Sequence, residues 1–458
     1  MSTTPPPMDE DPAAPHRSQA RGGTGEGAVP APHQRGRSST SPDRGLGWVG
    51  RAFEVTVGPV AHGGHCVARH EGRVVFVRHA LPGERVTVRV TEDRQPAFCR
   101  ADAVTVLQAA PDRVERPCPH SGPGRCGGCD WQHVAPEGQR ALKAAVVREQ
   151  LTRLGGLSGE DPLVRDLAVE ELPGGPLRWR TRTRFAVDRA GVPGLRRHRS
   201  HDLVPLDDCP ITVQQAARAV LDRRWPGAGA VDVAVDATGA VTTTRLDRRG
   251  RAQSTRVVRA GGPAPAGRAA RSAAGRDWEV EGTGFWQVHP AAADALAAAV
   301  AAFAAVAPGE TVLDLYAGAG LFGGALAPAA GPAGRVVCVE ADEAACAAAE
   351  ANLATLPQAE VWQGEVDADG LTGLLADLGT GPDVVVLDPP RAGAGVAVSR
   401  VLAAAGPRAV VYVACDPAAL ARDVAALAEG GYRLAALRGF DAFPMTAHVE
   451  CVALLERR

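Results

Sequence analysis

Apolar and polar residues alternate in three short runs near the start of the chain: Phe53-Glu-Val-Thr-Val57, Gly72-Arg-Val-Val-Phe-Val77 and Glu84-Arg-Val-Thr-Val-Arg-Val90. Gly and Pro turns bound each run, so the pattern predicts half-buried strands and a small all-β barrel over 48–110. From 286 onward the rhythm changes. Strand-like runs at Thr311–Tyr316, Gly334–Glu340, Pro382–Asp388 and Ala409–Cys415 alternate with Ala-rich helical stretches. That order predicts an α/β unit over 286–458, a parallel sheet with helices on both faces. The segment between, 111–285, is rich in Cys at first and then β-like. Residues 1–47 carry Pro, Ser, Gly and mixed charges without periodicity and are expected to form a disordered tail; they hold no apolar stretch of the length a signal peptide needs. Ala291 to Ala307 is the most hydrophobic stretch, but it is mostly Ala and carries Asp294, which predicts a buried amphipathic helix and no membrane span.

Charge refines this picture locally. The formal net charge of the 458 residues is −2, so no global field draws in nucleic acid, and an RNA surface must be a local concentration of Arg. Two such concentrations exist. In Arg178-Trp-Arg-Thr-Arg-Thr-Arg-Phe185 every second residue is Arg, which on a strand places Arg178, Arg180, Arg182 and Arg184 on one face, suited to phosphate oxygens. A second basic run spans Arg245 to Arg259.

The chemistry sits in the α/β part. Asp314-Leu-Tyr-Ala-Gly-Ala-Gly320 is a strand end running into a Gly-rich turn and a helix. Gly318 and Gly320 have no side chains to keep a nucleotide from the backbone. The spacing is neither the dinucleotide fingerprint nor a Walker loop. Glu340 ends the next strand, where a carboxylate can accept hydrogen bonds from both ribose hydroxyls. Asp388-Pro-Pro-Arg391 follows, and Val413-Ala-Cys-Asp-Pro417 puts a thiol at the carboxyl edge of the sheet. A thiolate is the nucleophilic form, and a free Cys is largely protonated at neutral pH, so the site is expected to favour thiolate through nearby donors or cations, Arg391 among them. Near the C-terminus Glu450 interrupts the apolar run Val449 to Leu455; a buried acid with a raised pKa is a competent base.

Taken in order, the Gly turn, the acidic strand end, DPPR, ACDP and HVEC closely resemble the uracil-C5 RNA methyltransferase family, whose catalytic unit is a class I, Rossmann-like methyltransferase. The resemblance runs from about 48 to 458, and its first segment, through Gly58–Gly64 and Ala80–Val86, resembles a TRAM domain, an OB-like RNA-binding module. It implies an S-adenosylmethionine-dependent enzyme acting on C5 of a uridine in ribosomal or transfer RNA, with the complete TRAM-like segment leaning towards 23S rRNA. It assigns Cys415 as nucleophile and Glu450 as base, and places Gln287, Tyr316, Glu340 and Asp388 at the cofactor, with Glu365 near the adenine. A non-catalytic RNA-binding protein that kept the fold is the alternative; the joint presence of the Gly turn, Cys415 and Glu450 argues against it. The enzyme is expected to be a cytoplasmic monomer with no membrane association.

Ten Cys in a chain of cytosolic character are expected to stay reduced, which makes a tight cluster a metal candidate. Cys118, Cys126 and Cys129 fall within twelve residues, and Cys209 in Pro205-Leu-Asp-Asp-Cys-Pro210 supplies a fourth thiol. Ligand count leaves zinc and iron–sulfur open. The family resemblance implies a [4Fe–4S] cluster.

Overall fold

The computed structural model of the chain describes residues 47–259, 262–264, 268–282 and 284–458; the tail expected over 1–47 lies, except for Gly47, outside them. The first alternating runs become β1 (Ala52–Thr56), β2 (Cys66–His70), β3 (Arg73–Arg78), β4 (Arg85–Gln95) and β5 (Phe98–Gln108), one sheet in the order β1-β4-β5-β3-β2. Along β4, Val86, Val88 and Val90 are buried while Arg85 and Arg89 face water, the period of a sheet with one wet face. Trp48, Val75, Val77 and Trp131 complete that core.

Next come α1 (Pro136–Arg153), α2 (Pro162–Arg165) and β6 (Val169–Glu171). The Arg-rich stretch then gives β7 (Arg182–Val187), followed by β8 (Pro193–Arg196), β9 (Leu203–Pro205), α3 (Gln214–Leu221), β10 (Ala230–Val235), β11 (Val241–Leu246), β12 (Ala252–Arg259) and β13 (Gly262–Ala264). These seven strands form a second sheet, β13-β12-β11-β10-β7-β8-β9. The four-Arg strand face expected from the sequence does not exist, because β7 begins only at Arg182. Upstream, the amides of Arg178 and Arg180 bond to the carbonyls of Pro210 and Ile211, each at 2.8 Å, and Arg178 adopts φ +57°. Carboxylates also claim the two exposed members: Arg178 forks onto Asp208 at 2.9 and 2.5 Å, and Arg184 onto Asp232 at 2.6 and 2.7 Å. Arg180 and Arg182 are half-buried. The second basic run keeps its cations outside, with Arg248, Arg249, Arg256 and Arg259 exposed on and around the β11–β12 hairpin.

After the hairpin β14 (Arg268–Ala273) and β15 (Arg276–Glu281), helices and strands alternate: α4 (Ala292–Ala304), β16 (Thr311–Leu315), α5 (Leu321–Ala330), β17 (Arg335–Glu340), α6 (Glu343–Leu353), β18 (Ala359–Gln363), α7 (Ala368–Leu378), β19 (Val384–Leu387), α8 (Val396–Ala405), β20 (Ala409–Ala414), α9 (Pro417–Glu429), β21 (Tyr432–Asp441) and β22 (Glu450–Arg457). They build an eight-stranded sheet in the order β18-β17-β16-β19-β20-β22-β21-β6. The first five strands are parallel, and β22 inserts antiparallel to both β20 and β21. Helices cover both faces, so the central strands are apolar throughout: Val312, Val336, Val384 and Val411 fill one layer, Leu313, Val337, Val385 and Val410 the other. The edge strand β6 belongs to the segment before 286, so this sheet is closed by residues far upstream. Among the described residues no helix is long and apolar enough to cross a membrane.

Candidate active site

A parallel sheet exposes its loops at the carboxyl edge, and there the site assembles. Strand register fixes three of its members. Leu387 pairs with Tyr412 and Ala414 with Cys451, so Asp388, Cys415 and Glu450 emerge side by side from β19, β20 and β22. Glu450 is buried at 3% exposure. Burial first, then the neighbouring Asp388, push its carboxyl well above the ordinary range, with Arg391 opposing. Asp388 is itself raised to about 7 by burial. Such a cluster favours keeping protons on its acids at neutral pH.

The thiol answers to the same surroundings. Burial, followed by Glu450 and Asp388, raises Cys415 to about 12, and Arg391 opposes only in part. The expected bias towards thiolate is therefore reversed in the resting site, because desolvation first, and the two neighbouring acids after it, outweigh one guanidinium. With the group protonated at neutral pH, its ionised fraction should climb about tenfold per pH unit below that value. Alkylation of Cys415 by iodoacetamide, followed on its peptide by mass spectrometry, should climb equally from pH 7 to 9; a plateau near pH 7 would show that the thiol ionises freely.

The loop feeding Glu450 is held from below by α1. Lys143, fully buried, donates to Asp441 Oδ1 and to the Phe443 carbonyl at 3.0 Å. One turn earlier, Gln139 Oε1 accepts from the Met445 amide at 2.7 Å, and Gln139 Nε2 donates to the Val134 carbonyl at 2.9 Å. Removing one partner of a buried ion pair strands the other, so Lys143→Met should cost about 3–5 kcal/mol in denaturant unfolding; a loss under about 1 kcal/mol would mean Asp441 finds solvent or another donor. Across the site Arg391 Nη2 lies 3.3 Å from His448 Nε2, and burial with Arg391 beside it lowers His448 to about 4, leaving a neutral ring. The 388–395 loop is anchored by Asp423, whose Oδ2 accepts from Tyr412 OH at 2.6 Å and from the Ala394 and Gly395 amides at 2.9 and 3.2 Å. Lys143, Gln139 and Asp423 are not legible as site residues, and only the fold brings them under the edge; His448 stands in the HVEC motif but gives no sign there of its contact with Arg391.

The residues expected at a cofactor sit further along the edge. Glu340 Oε2 accepts from the Gly318 amide at 2.9 Å, and its Oε1 from Ala341 and Asp342 at 2.8 and 2.9 Å, so the carboxylate is fixed against the Gly turn. Gly318 has φ +55°, and a Cβ there would meet nothing within 4 Å; the turn borders open space. Tyr316 stands at φ +61°, with its hydroxyl on the Val366 carbonyl at 2.9 Å. A positive φ in a side chain of that bulk is a strained conformation of the sort that collects at ligand sites. Gly320 caps α5, and Glu365 is exposed just beyond β18. Gln287 lies half-buried in the segment joining β15 to α4, following Phe285, which is 70% exposed. Asp314, missed as a site residue, is fully buried in β16; Oδ2 accepts from the Gly323 amide at 2.7 Å, Oδ1 has no hydrogen-bond partner among the described residues, and burial raises the group to about 7.

The four Cys meet as well. Cys118, Cys126, Cys129 and Cys209 line one cavity with Arg180, Gln132 and Leu206. Burial raises Cys126 to about 11 and Cys129 further, and the other thiols of the set add to both shifts. As they stand, no three His, Cys, Asp or Glu side chains among the described residues are grouped to hold a metal ion. The four thiols come from both ends of a long loop and are all free, with no disulfide among them.

Comparison with known proteins places these features. Residues 48–104 match the TRAM domain and residues 379–458 match tRNA (uracil-5-)-methyltransferase. The chain is 48% identical to an uncharacterized RNA methyltransferase of Streptomyces coelicolor, over 89% of this chain and 93% of that protein. It is 34% identical to the 23S rRNA (uracil(1939)-C(5))-methyltransferase of Alkalilimnicola ehrlichii, over 88% of this chain and 96% of the other. Among solved structures, the tRNA (uracil-54, C5)-methyltransferase of Pyrococcus abyssi, bound to S-adenosyl-L-homocysteine, superposes with a TM-score of 0.63 at 22% identity, covering 88% of this chain and all of that one.

Proposed function

The chain belongs to the RNA uracil-C5 methyltransferase family, and we propose that it methylates C5 of a uridine in structured RNA, 23S rRNA in preference to tRNA, through a covalent bond between Cys415 and C6. The observation that supports this most is the meeting of a thiol and a buried acid, Cys415 and Glu450, across adjacent strands. C5 of uracil is too weak a nucleophile to take a methyl group unaided. Addition of Cys415 Sγ to C6 converts the C5–C4–O4 system to an enolate with its electron pair available at C5. Once C5 carries the methyl group, Glu450 takes the C5 proton, the electrons re-form the ring double bond, and Sγ leaves. S-adenosylmethionine supplies the electrophilic methyl group when bound; Glu340, Gly318, Gly320, Tyr316, Glu365, Gln287 and Asp388 would hold it. A fixed carboxylate beside an open Gly turn fits the ribose of such a ligand. The thiol must lose its proton before it adds, and Glu450 must be ionised before it takes the C5 proton; the resting site holds both protonated, so productive binding has to shift both groups towards their ionised forms, with solvent taking the protons.

Preference for 23S rRNA rests on the relatives. Two relatives, 34% and 35% identical, are named as 23S rRNA (uracil(1939)-C(5))-methyltransferases. We further propose a cytoplasmic monomer carrying a [4Fe–4S] cluster on Cys118, Cys126, Cys129 and Cys209, tying the start of the central segment to Cys209. Four protein ligands leave no iron open for radical chemistry, so its role is structural. Labelled methyl from S-adenosylmethionine should enter 23S rRNA as 5-methyluridine; label in tRNA alone would reassign the substrate, and label in neither would overturn the activity. Protein purified without oxygen should be brown with about four iron atoms per chain and colourless as Cys209→Ser. One zinc per colourless chain would replace the cluster by a zinc site.

A further inference from the structure

The β1–β5 sheet reaches the catalytic edge through one turn. His62, between β1 and β2, has Nε2 2.9 Å from Asp416 Oδ2. Asp416 directly follows Cys415 and caps α9, its Oδ1 accepting from the Ala418 and Ala419 amides at 3.0 and 2.9 Å. One carboxylate thus binds the imidazole with one oxygen and the first turn behind the thiol with the other. The hydrogen bond to Asp416 raises His62 above its ordinary value, which favours the charged form of the contact.

Two residues on, the same turn meets the second catalytic loop. Gly64, at φ +80°, lies so close to Ala447 that a Cβ would come within 2.5 Å of the Ala447 Cβ. Its carbonyl accepts from Trp131 Nε1 at 3.1 Å. Asp130 ties the layers together, accepting from the Ala447 amide at 3.2 Å and from Arg78 at the end of β3, also at 3.2 Å. Ala447 is three residues before Glu450. Residues 62–64 therefore touch the loop of the nucleophile and the loop of the acid at once, although an RNA-binding module needs neither contact.

We propose that His62 is a positioning residue for the methyl transfer: through Asp416 it sets the turn that carries Cys415, so the TRAM segment contributes to the chemical step as well as to RNA affinity. This rests on the methyltransferase reading. His62 is bonded to Asp416 and Asp416 to the first turn of α9, so their effect passes through the placement of Sγ. A displacement of a reacting group by around an ångström costs on the order of ten- to a hundredfold in rate. His62→Ala should lower kcat by that factor while leaving KM for RNA nearly unchanged. His62→Gln, which keeps a donor for Asp416, should restore most of it. In the double variant with Asp416→Asn, the two losses should not add. A second measurement is independent of activity: the rate of Cys415 alkylation at fixed pH should change in His62→Ala and return in His62→Gln. An unchanged kcat with a raised KM would make the turn an RNA contact and overturn the proposal, as would a kcat loss that His62→Gln fails to relieve. If the wild type methylates no RNA, the methyltransferase reading fails instead, while the alkylation rates still decide whether His62 controls the thiol.

Discussion

Cys415→Ala should abolish methyl transfer, a fall on the order of 10⁴-fold or more, since loss of a covalent nucleophile leaves only binding and orientation to assist the reaction. The variant should otherwise be well formed. Cys415 sits at the end of β20, half-buried, and carries no backbone-holding role; Asp416 caps α9 instead. Glu340 and the Gly turn lie three and two strands away, so calorimetry should find the affinity for S-adenosylmethionine unchanged. RNA affinity should also persist. Turnover retained in this variant would remove Cys415 from the mechanism, and with it the need for an adduct.

The second large effect is expected of Glu450→Gln, which should depress turnover by about 10²–10⁴-fold and accumulate protein joined to RNA. Gln matches the shape of Glu, and because burial and Asp388 already keep the Glu450 carboxyl raised, a neutral amide suits the resting site. Addition of Cys415 should survive, since burial comes before Glu450 among the causes that hold the thiol protonated, and the amide keeps that burial. Removal of the C5 proton should not. Without that step the sulfur cannot leave, and the methylated adduct should appear as a slow band on a denaturing gel, carrying label from the methyl donor. Normal turnover with no adduct would show that another group takes the proton.

Much of this was readable in the chain. The alternation in β4, the Gly turn after β16 and the thiol after β20 are local signals, because a strand end, a cap or a turn is set by its own few residues. Asp342, Asp367 and Asp416 each cap the helix they precede for the same reason. The Arg-rich stretch shows the limit. Every second residue from Arg178 to Arg184 is Arg, yet Pro210 and Ile211 capture the upstream amides and Asp208 and Asp232 capture two of the side chains. Those partners lie 30 or more residues away, and no local period announces them.

The sequence by itself determined the elements, their order and the chemical types present: a β-rich start, an α/β end, a thiol at a strand end, an acid in the last apolar run, and four Cys with spacing suited to a shared centre. Only the tertiary structure decided how those groups are charged and held. The pKa of Cys415 follows from which carboxylates are folded against it and how much water they exclude, and desolvation is a property of the packed edge, not of any one segment. Likewise Lys143 reaches Asp441 across 298 residues and His62 reaches Asp416 across 354. Each is an ordinary polar residue in its own segment until packing brings it against a charge from the other end of the chain.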